Sequence, residues 1–247
     1  MVELLILGLV QGLTEFLPVS SSGHLVILSK IFNLSEQIIP VTLVLHLGTC
    51  LSLVVFFFRD ILKSLRSLKM IFMIIIVTVI TGAIGLSGKS FFESLFSSPR
   101  IVALGWLITA GVLLATKRFM NAKRQHLNIK DAVILGLVQG LAIVPGISRS
   151  GVTVSALLFR KTDKFTAFQF SFLAAIPAIL GAALLESGKI NFSIKLNWFY
   201  LGGGFVISFV TGLFALWFLK ESIRSAKLHY FAYYCAVIAV LTLLFIR

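Results

Sequence analysis

Charged residues are scarce in this sequence: Asp, Glu, Lys and Arg make up 13% of its 247 residues, whereas soluble domains carry about a quarter. Hydrophobic residues reach 58%, and apolar runs such as 70–86 and 198–219 are long enough to cross a bilayer. An ordinary soluble protein is therefore excluded. The composition predicts one integral membrane domain that covers residues 1–247.

Acidic residues are scarcer still, with 9 Asp and Glu against 22 Lys and Arg and a net charge of +13. A nucleic-acid partner would need a basic stripe that alternates with exposed aromatic residues, and the sequence has none. We therefore predict no nucleic-acid partner, and we interpret the basic excess as loops that face lipid headgroups.

Cysteine and signal-peptide features are also sparse. The two cysteines, Cys50 and Cys235, lie in apolar runs, which favours inert buried thiols over a disulfide or a metal pair. The N-terminus has no basic region and no convincing cleavage site, so we expect it to belong to the mature fold.

Long apolar segments make up most of the sequence and predict about six transmembrane helices. These segments are 41–58, 70–87, 100–116, 165–185, 198–219 and 228–246. Two more apolar regions, 3–33 and 131–159, are interrupted by Pro18 and by Pro145–Gly146. Each arm of about 15 residues would reach only ~22 Å as a helix, short of the ~30 Å hydrocarbon core. The pattern predicts an all-α protein with two re-entrant helical hairpins.

The two interrupted regions repeat each other. The heptapeptide LGLVQGL at residues 7–13 recurs unchanged at 135–141, and the shift of 128 residues also aligns Ser20, Ser22 and Gly23 with Ser148, Ser150 and Gly151. We interpret the chain as an internal duplication, with repeat one at about 1–116 and repeat two at about 117–247.

Loop charges give a predicted topology, because Lys and Arg mark cytoplasmic loops. Fifteen of the 22 basic residues fall in the stretches 59–69, 117–130, 160–164 and 220–227. The opposite loops hold Lys30, Lys89, Arg100, Lys189, Lys195 and Arg247. This distribution places both termini outside and makes the repeats inverted, so that the two breaks meet near the midplane.

Ionisable groups at membrane depth need a partner or a purpose, and the first break contains Glu15 and His24. Glu15 follows Gln11 by four residues, which puts both on one helix face, where they could hold a divalent cation or position a proton carrier. After Pro18 the hydroxyls of Ser20, Ser21 and Ser22 precede His24. Helix capping by serine is the alternative to a catalytic role.

The second break resembles a phosphate cradle, since Gly146 allows close approach of the backbone and hydroxyls surround Arg149. The hydroxyls are those of Ser148, Ser150 and Thr153. A half-helix N-terminus and a guanidinium both attract phosphate, although a buried Glu15–Arg149 ion pair is an alternative. We assign no role to His46, which we expect to be a satisfied buried histidine, nor to His126 and His229.

The stretch from Gln11 to His24 resembles the first signature of bacterial undecaprenyl pyrophosphate phosphatases, the bacitracin-resistance family, and Pro145 to Thr153 resembles the second. Leu45–Thr49 and Phe170–Pro177 are also similar to family sequence. The resemblance implies an enzyme of the bacterial plasma membrane that hydrolyses undecaprenyl diphosphate to undecaprenyl phosphate and inorganic phosphate. It implies carrier-lipid recycling for peptidoglycan synthesis, bacitracin resistance and a site open to the outer face.

The resemblance also implies residue roles. Ser21 would be the nucleophile or a critical hydroxyl, with His24 as the competing nucleophile or general acid/base. Arg149 would bind the phosphates together with Gly146, Ser148, Ser150 and Thr153, and with Ser20 and Ser22 from the first break. Glu15, assisted by Gln11, would bind a divalent cation, Mg²⁺ in the first place with Ca²⁺ as an alternative, or activate a hydroxyl.

A second function class stays open, because inverted hairpins equally suit a transporter or flippase for a phosphorylated lipid. The repeats differ, however: Glu15 and His24 align with Ile143 and Val152. This asymmetry favours an enzyme. A homodimer is one candidate for the oligomeric state.

Overall fold

The computed structural model describes residues 2–33, 38–188 and 198–246, and these residues form helices without a β-strand. Two 3₁₀ turns lie at Thr116–Arg118 and Leu228–Tyr230. The α-helices of the described residues are α1 Val2–Phe16, α2 Ser21–Ile31, α3 Ile38–Phe56, α4 Phe58–Leu65, α5 Leu68–Ser87, α6 Lys89–Leu95, α7 Pro99–Ala115, α8 Ile129–Leu141, α9 Arg149–Phe159, α10 Lys164–Ser187, α11 Trp198–Arg224 and α12 Phe231–Phe245.

Five of these helices, alone or with an adjoining 3₁₀ turn, are long and apolar enough to cross a membrane: α5, α7, α10, α11 and α12. A sixth span is formed if α3 and α4 are counted together, although a bend of 72° separates them. Many large apolar side chains are exposed, among them Leu184 and Phe214, as expected where lipid replaces water. The prediction of an all-α membrane protein with about six spans is confirmed.

The two interrupted regions form helical hairpins, α1–α2 and α8–α9, as predicted. Their longest arms have 15 and 13 residues, or about 22 and 20 Å, which is too short to span the hydrocarbon. Each first arm packs on a helix of the other half of the chain, α1 on α11 and α8 on α5. This exchange of equivalent partners is what an inverted repeat predicts. The division of the chain into repeat one at about 1–116 and repeat two at about 117–247 stays a prediction.

One difference from the sequence prediction is α4, which lies in a stretch that we expected to be a loop. Its apolar residues Phe58, Ile61, Leu62 and Leu65 follow the spacing of one helix face. Polar residues, including Arg59 and Lys63, fill the rest. The chain turns away from α3 where the first charged residues appear, because such residues are costly at membrane depth.

The basic loops meet at one end of the molecule. Arg124 makes a backbone bridge with Thr162 and donates two hydrogen bonds to the buried Asp131, at 2.7 and 2.9 Å. Arg160 donates a further bond to the same carboxylate, and Asp131 forms a capping box with Asn128 at the start of α8. These contacts fix both outer ends of the second hairpin. Of the residues predicted in the opposite loops, Lys189, Lys195 and Arg247 lie outside the described residues, as does Met1.

Candidate functional site

The first break lies between α1 and α2, and other helices satisfy its backbone. Pro18 removes an N–H from the helical ladder, and the carbonyls of Pro18 and Val19 have partners on other helices. Trp106 on α7 donates its indole N–H to the Val19 carbonyl at 2.7 Å, and the Cys235 thiol on α12 contacts the Pro18 carbonyl at 3.5 Å. The irregular backbone is thus buried in protein, which membrane depth requires.

The second break, between α8 and α9, is held by the same helix α7. Thr109 donates its hydroxyl to the Gly146 carbonyl at 3.1 Å and accepts a bond from the Ser148 N–H at 2.9 Å. Gly146 has φ +90°, and a Cβ there would collide with the Val102 carbonyl, so only glycine fits. Its backbone is therefore a packing element between α7 and the break.

Both inner half-helices begin in the same way. The Ser20 hydroxyl accepts a bond from the Gly23 N–H at 3.3 Å, and the Ser148 hydroxyl accepts one from the Gly151 N–H at 3.2 Å. The serines two residues later, Ser22 and Ser150, lie 3.2 Å from these caps. The capping alternative raised by the sequence is therefore observed for Ser20 and Ser148, in both repeats.

A cavity of about 610 Å³ lies where the two half-helices begin. Most of its polar residues come from the two hairpins, and its remaining walls come mainly from α5 and α10. Ser21 and Arg149, the first residues of α2 and α9, line it. Two helix N-termini thus point at one cavity, and each carries a partial positive charge that favours an anion.

Glu15 is the centre of the polar contacts in this cavity. One carboxylate oxygen pairs with the guanidinium of Arg149. The other accepts hydrogen bonds from the Ser21 hydroxyl at 2.6 Å and from the Gln11 amide at 3.0 Å, and lies 3.6 Å from His46 Nε2. The buried ion pair considered from the sequence is present, and it coincides with the predicted catalytic set.

His24 lies outside this set of contacts, although it is only three residues after Ser21. Its Nδ1 contacts the Ser20 carbonyl at 2.7 Å and its Nε2 contacts the Tyr234 hydroxyl at 2.7 Å. The ring is buried, stacks on Tyr234 and meets Trp106 edge-on. In this structure both ring nitrogens are engaged, and His24 is not among the residues that line the cavity.

Four predicted substrate-binding residues also face the protein, and one of them is Gln11, which is fully buried and not among the residues that line the cavity. Ser150 donates to the Leu17 carbonyl at 3.2 Å and so joins the two breaks directly. Thr153 is buried and bonds to the Arg149 carbonyl at 2.6 Å and to the Ser171 hydroxyl at 2.6 Å. Gly146 packs on α7, whereas Ser20, Ser22 and Ser148 do line the cavity.

Sequence reasoning missed His46 and Gln139. We expected His46 to be buried, but its side chain is partly exposed and lines the cavity beside Glu15. Its signal was an ionisable side chain at membrane depth, which is a reason to suspect function. Gln139, the repeat-two counterpart of Gln11, also lines the cavity and donates to Thr81 at 3.2 Å.

Comparison with known proteins identifies a family and several relatives of this chain. The family model described as bacitracin resistance protein BacA matches residues 4–241. The chain is 43% identical to an undecaprenyl-diphosphatase of Thermotoga petrophila over 97% of this chain and 98% of the relative. It is 42% identical to one of Carboxydothermus hydrogenoformans over 96% and 94%, and 38% identical to one of Alkaliphilus metalliredigens over 98% and 97%.

Proposed function

This chain belongs to the bacitracin resistance protein BacA family, and on that premise we propose that Glu15, Ser21 and Arg149 form its catalytic centre. The protein is an undecaprenyl-diphosphatase of a membrane: it removes the terminal phosphate of undecaprenyl diphosphate and leaves undecaprenyl phosphate. Roles in cell-wall synthesis and bacitracin resistance follow from the family. The observation that carries the proposed centre is one carboxylate that contacts both a hydroxyl and a guanidinium where the hairpins meet.

Arg149 is assigned to the diphosphate. Its guanidinium offers a planar fork that matches two phosphate oxygens, and its side chain is only part-buried. The N-termini of α2 and α9 add two partial positive charges on the same cavity. Ser148, Ser20 and Ser22 line the same wall and would donate hydrogen bonds to phosphate oxygens, whereas Gly146, Ser150 and Thr153 would support Arg149 by fixing the start of α9.

Ser21 is assigned as the nucleophile. Its hydroxyl already donates to Glu15 at 2.6 Å, so the carboxylate can accept the proton as the oxygen attacks the terminal phosphorus. The bond between phosphorus and the bridging oxygen then breaks, and undecaprenyl phosphate leaves. Water subsequently hydrolyses the phosphoserine and releases inorganic phosphate. His24 remains the competing nucleophile, but it would have to leave Ser20 and Tyr234 to reach the cavity.

A divalent cation, Mg²⁺ or alternatively Ca²⁺, is assigned to Glu15 and Gln11. The amide nitrogen of Gln11 contacts the carboxylate at 3.0 Å, and its amide oxygen is buried without a hydrogen-bond partner. Amide and carboxylate oxygens are donors that suit hard cations. Within the described residues no group of three or more His, Cys, Asp or Glu could hold a metal. Water and phosphate oxygens would therefore complete the coordination, and the bound cation would neutralise diphosphate charge.

The proposed orientation places the basic loops in the cytoplasm and both termini outside, in a bacterial plasma membrane. The cavity lining reaches Leu86 and Glu186, near the ends of α5 and α10 that lie away from those loops. The site would therefore open toward the outer face. The centre draws on one chain alone, so the homodimer considered from the sequence is not required for it.

The test is phosphate release from undecaprenyl diphosphate by purified protein in detergent, with and without EDTA. We expect Ser21→Ala and Arg149→Ala to lower kcat by about 10²- to 10⁴-fold. Ser29→Ala is a matched control, since this hydroxyl bonds within α2 at Val26. Arg224→Ala is another, because this arginine is exposed.

The result decides between the function classes. Loss of phosphate release in Ser21→Ala and Arg149→Ala, with activity kept in the controls, would support the proposed catalytic centre. Inhibition by EDTA would support a bound divalent cation. Full activity of Ser21→Ala would transfer the nucleophile role to His24 or to water. Absence of release by the wild-type protein with any divalent metal would favour the transporter alternative.

A further inference from the structure

The cavity extends beyond its polar centre as an apolar groove between α5 and α10. On α5 it is lined by Thr78, Gly82 and Leu86, and on α10 by Pro177 and Gly181, among others. From Thr78 to Leu86 the groove covers nine residues of helix, a rise of about 12 Å. Its far end is formed by residues such as Leu86 and Leu184, which are exposed, with Glu186 beside them.

The cavity is too small for the whole substrate. A volume of about 610 Å³ is typical of a drug-sized ligand, whereas the undecaprenyl tail alone has ~55 carbon atoms. The diphosphate and the first isoprene units can occupy the cavity, but the rest of the tail must leave it. An exit must therefore exist, and an apolar one avoids exposing the tail to water.

Two glycines leave such an exit open. A Cβ added at Gly82 or at Gly181 would meet no atom within 4 Å. Glycines in membrane helices usually permit close helix contact, and Gly8 does so here, where a Cβ would lie 2.6 Å from the Gly204 carbonyl. Gly82 and Gly181 have no such neighbour, so close packing does not account for them.

The wall beside Gly82 also contains an unsatisfied polar atom. The amide oxygen of Gln139 is buried without a partner, while its nitrogen donates to Thr81. Both residues line the cavity. Buried polar groups are normally paired with protein or water, so this wall is suited to a water molecule at Gln139, and the apolar tail would follow the groove past it.

On the basis of the proposed function, we propose that the polyprenyl tail leaves the cavity between α5 and α10, past Gly82 and Gly181. The phosphates lie at Arg149, the first isoprene units lie in the groove, and the remaining tail enters the lipid beside Leu86 and Leu184. These glycines then determine access for long-chain substrates without touching the reacting phosphate.

The test replaces each glycine by a large side chain and measures KM and kcat with undecaprenyl diphosphate. We expect Gly82→Phe and Gly181→Phe to raise KM about tenfold or more by filling the groove, with kcat little changed. Gly82→Ala and Gly181→Ala should resemble the wild type because a Cβ fits. Gly111→Phe is the matched control, since Gly111 is equally open but lies on α7 and is not among the residues lining the cavity.

Each outcome supports or overturns the exit. A KM in the phenylalanine variants equal to that of Gly111→Phe, or a fall in kcat without a rise in KM, would overturn it while leaving the phosphatase centre intact. If thermal unfolding shows that a phenylalanine variant is not folded, Gly82→Leu and Gly181→Leu carry the same expectation. Absence of phosphate release by the wild type would instead contradict the proposed function.

Discussion

Thr109 gives the most direct test of how the fold holds the site. It is fully buried on α7 and contacts two backbone groups of the second break, the Gly146 carbonyl and the Ser148 N–H, besides the Gly105 carbonyl of its own helix at 2.9 Å. Thr109→Val keeps the shape of the side chain but leaves these two backbone groups without this partner. Ser148 caps α9 and precedes Arg149, so the perturbation reaches the proposed phosphate site without altering a residue in it.

The structure sets the magnitude. A hydrogen bond between membrane helices is worth roughly 0.6 kcal/mol on average, but a buried group left unpaired costs about 1–3 kcal/mol. The Ser148 N–H loses its acceptor, whereas the Gly146 carbonyl loses a donor that the hydroxyl shares with the Gly105 carbonyl. We therefore expect Thr109→Val to lose about 1–3 kcal/mol of unfolding free energy. A displacement of Arg149 by even ~1 Å should lower kcat by about 10- to 100-fold.

The assay combines thermal unfolding in detergent with phosphate release from undecaprenyl diphosphate. Thr116→Val is the control: Thr116 is also fully buried, and its hydroxyl bonds to the Leu113 carbonyl at 2.6 Å, which the Thr116 N–H already contacts. The reasoning is refuted if Thr109→Val unfolds and reacts like the wild type. It is equally refuted if Thr116→Val is as damaging.

Three further predictions concern the charges and the histidine. Glu15→Gln should lower kcat by about 10²- to 10³-fold, because the amide cannot accept the serine proton, and a loss below tenfold in phosphate release would contradict this role. Tyr234→Phe removes a partner of His24 but leaves the serine and its carboxylate, so kcat should fall far less than the ~10²-fold expected of a general acid or base. Asp131→Asn should lower the free energy of unfolding by about 2 kcal/mol, because two arginines lose their carboxylate. The loss would be measured as a lower unfolding midpoint. Burial raises the pKa of Asp131, but the hydrogen bonds from Arg124 and Arg160 outweigh it and hold the pKa below its ordinary value. A lowered pKa stabilises the fold above the unfolded pKa of about 3.9, so the difference between wild type and variant should be constant near neutral pH and shrink below about pH 4. If the difference in unfolding free energy between wild type and Asp131→Asn grew on acidification, this prediction would be contradicted.

The breaks could be predicted because their causes are local. Pro18 and the Pro145–Gly146 pair interrupt apolar runs that are too short on either side to span the bilayer, and the structure ends α1 and α8 close to these residues. The short helix α4 was missed because a hydropathy scan interprets its arginine, aspartate and lysine as a loop. Its signal was the helical spacing of Phe58, Ile61 and Leu65.

The positions of the histidines could not be predicted, because their partners are distant in sequence. His24 is close to Ser21 along the chain, yet its Nε2 partner is Tyr234, 210 residues away. His46 approaches Glu15 only because α3 packs against α1. Hydropathy gives the depth of a side chain in the membrane, whereas the direction it faces is set by helix packing.

The cavity owes its chemistry to the differences between the two repeats. The shift of 128 residues aligns Ser21 with Arg149, the first residues of the two inner half-helices, and both contact the single carboxylate of Glu15. The counterpart of that carboxylate is Ile143, which lines the same cavity. A glutamate in both repeats would place two negative charges beside a diphosphate, where like charges disfavour ionisation. With one carboxylate, one guanidinium and two helix N-termini at its polar centre, the cavity keeps a proton acceptor there and still favours an anion.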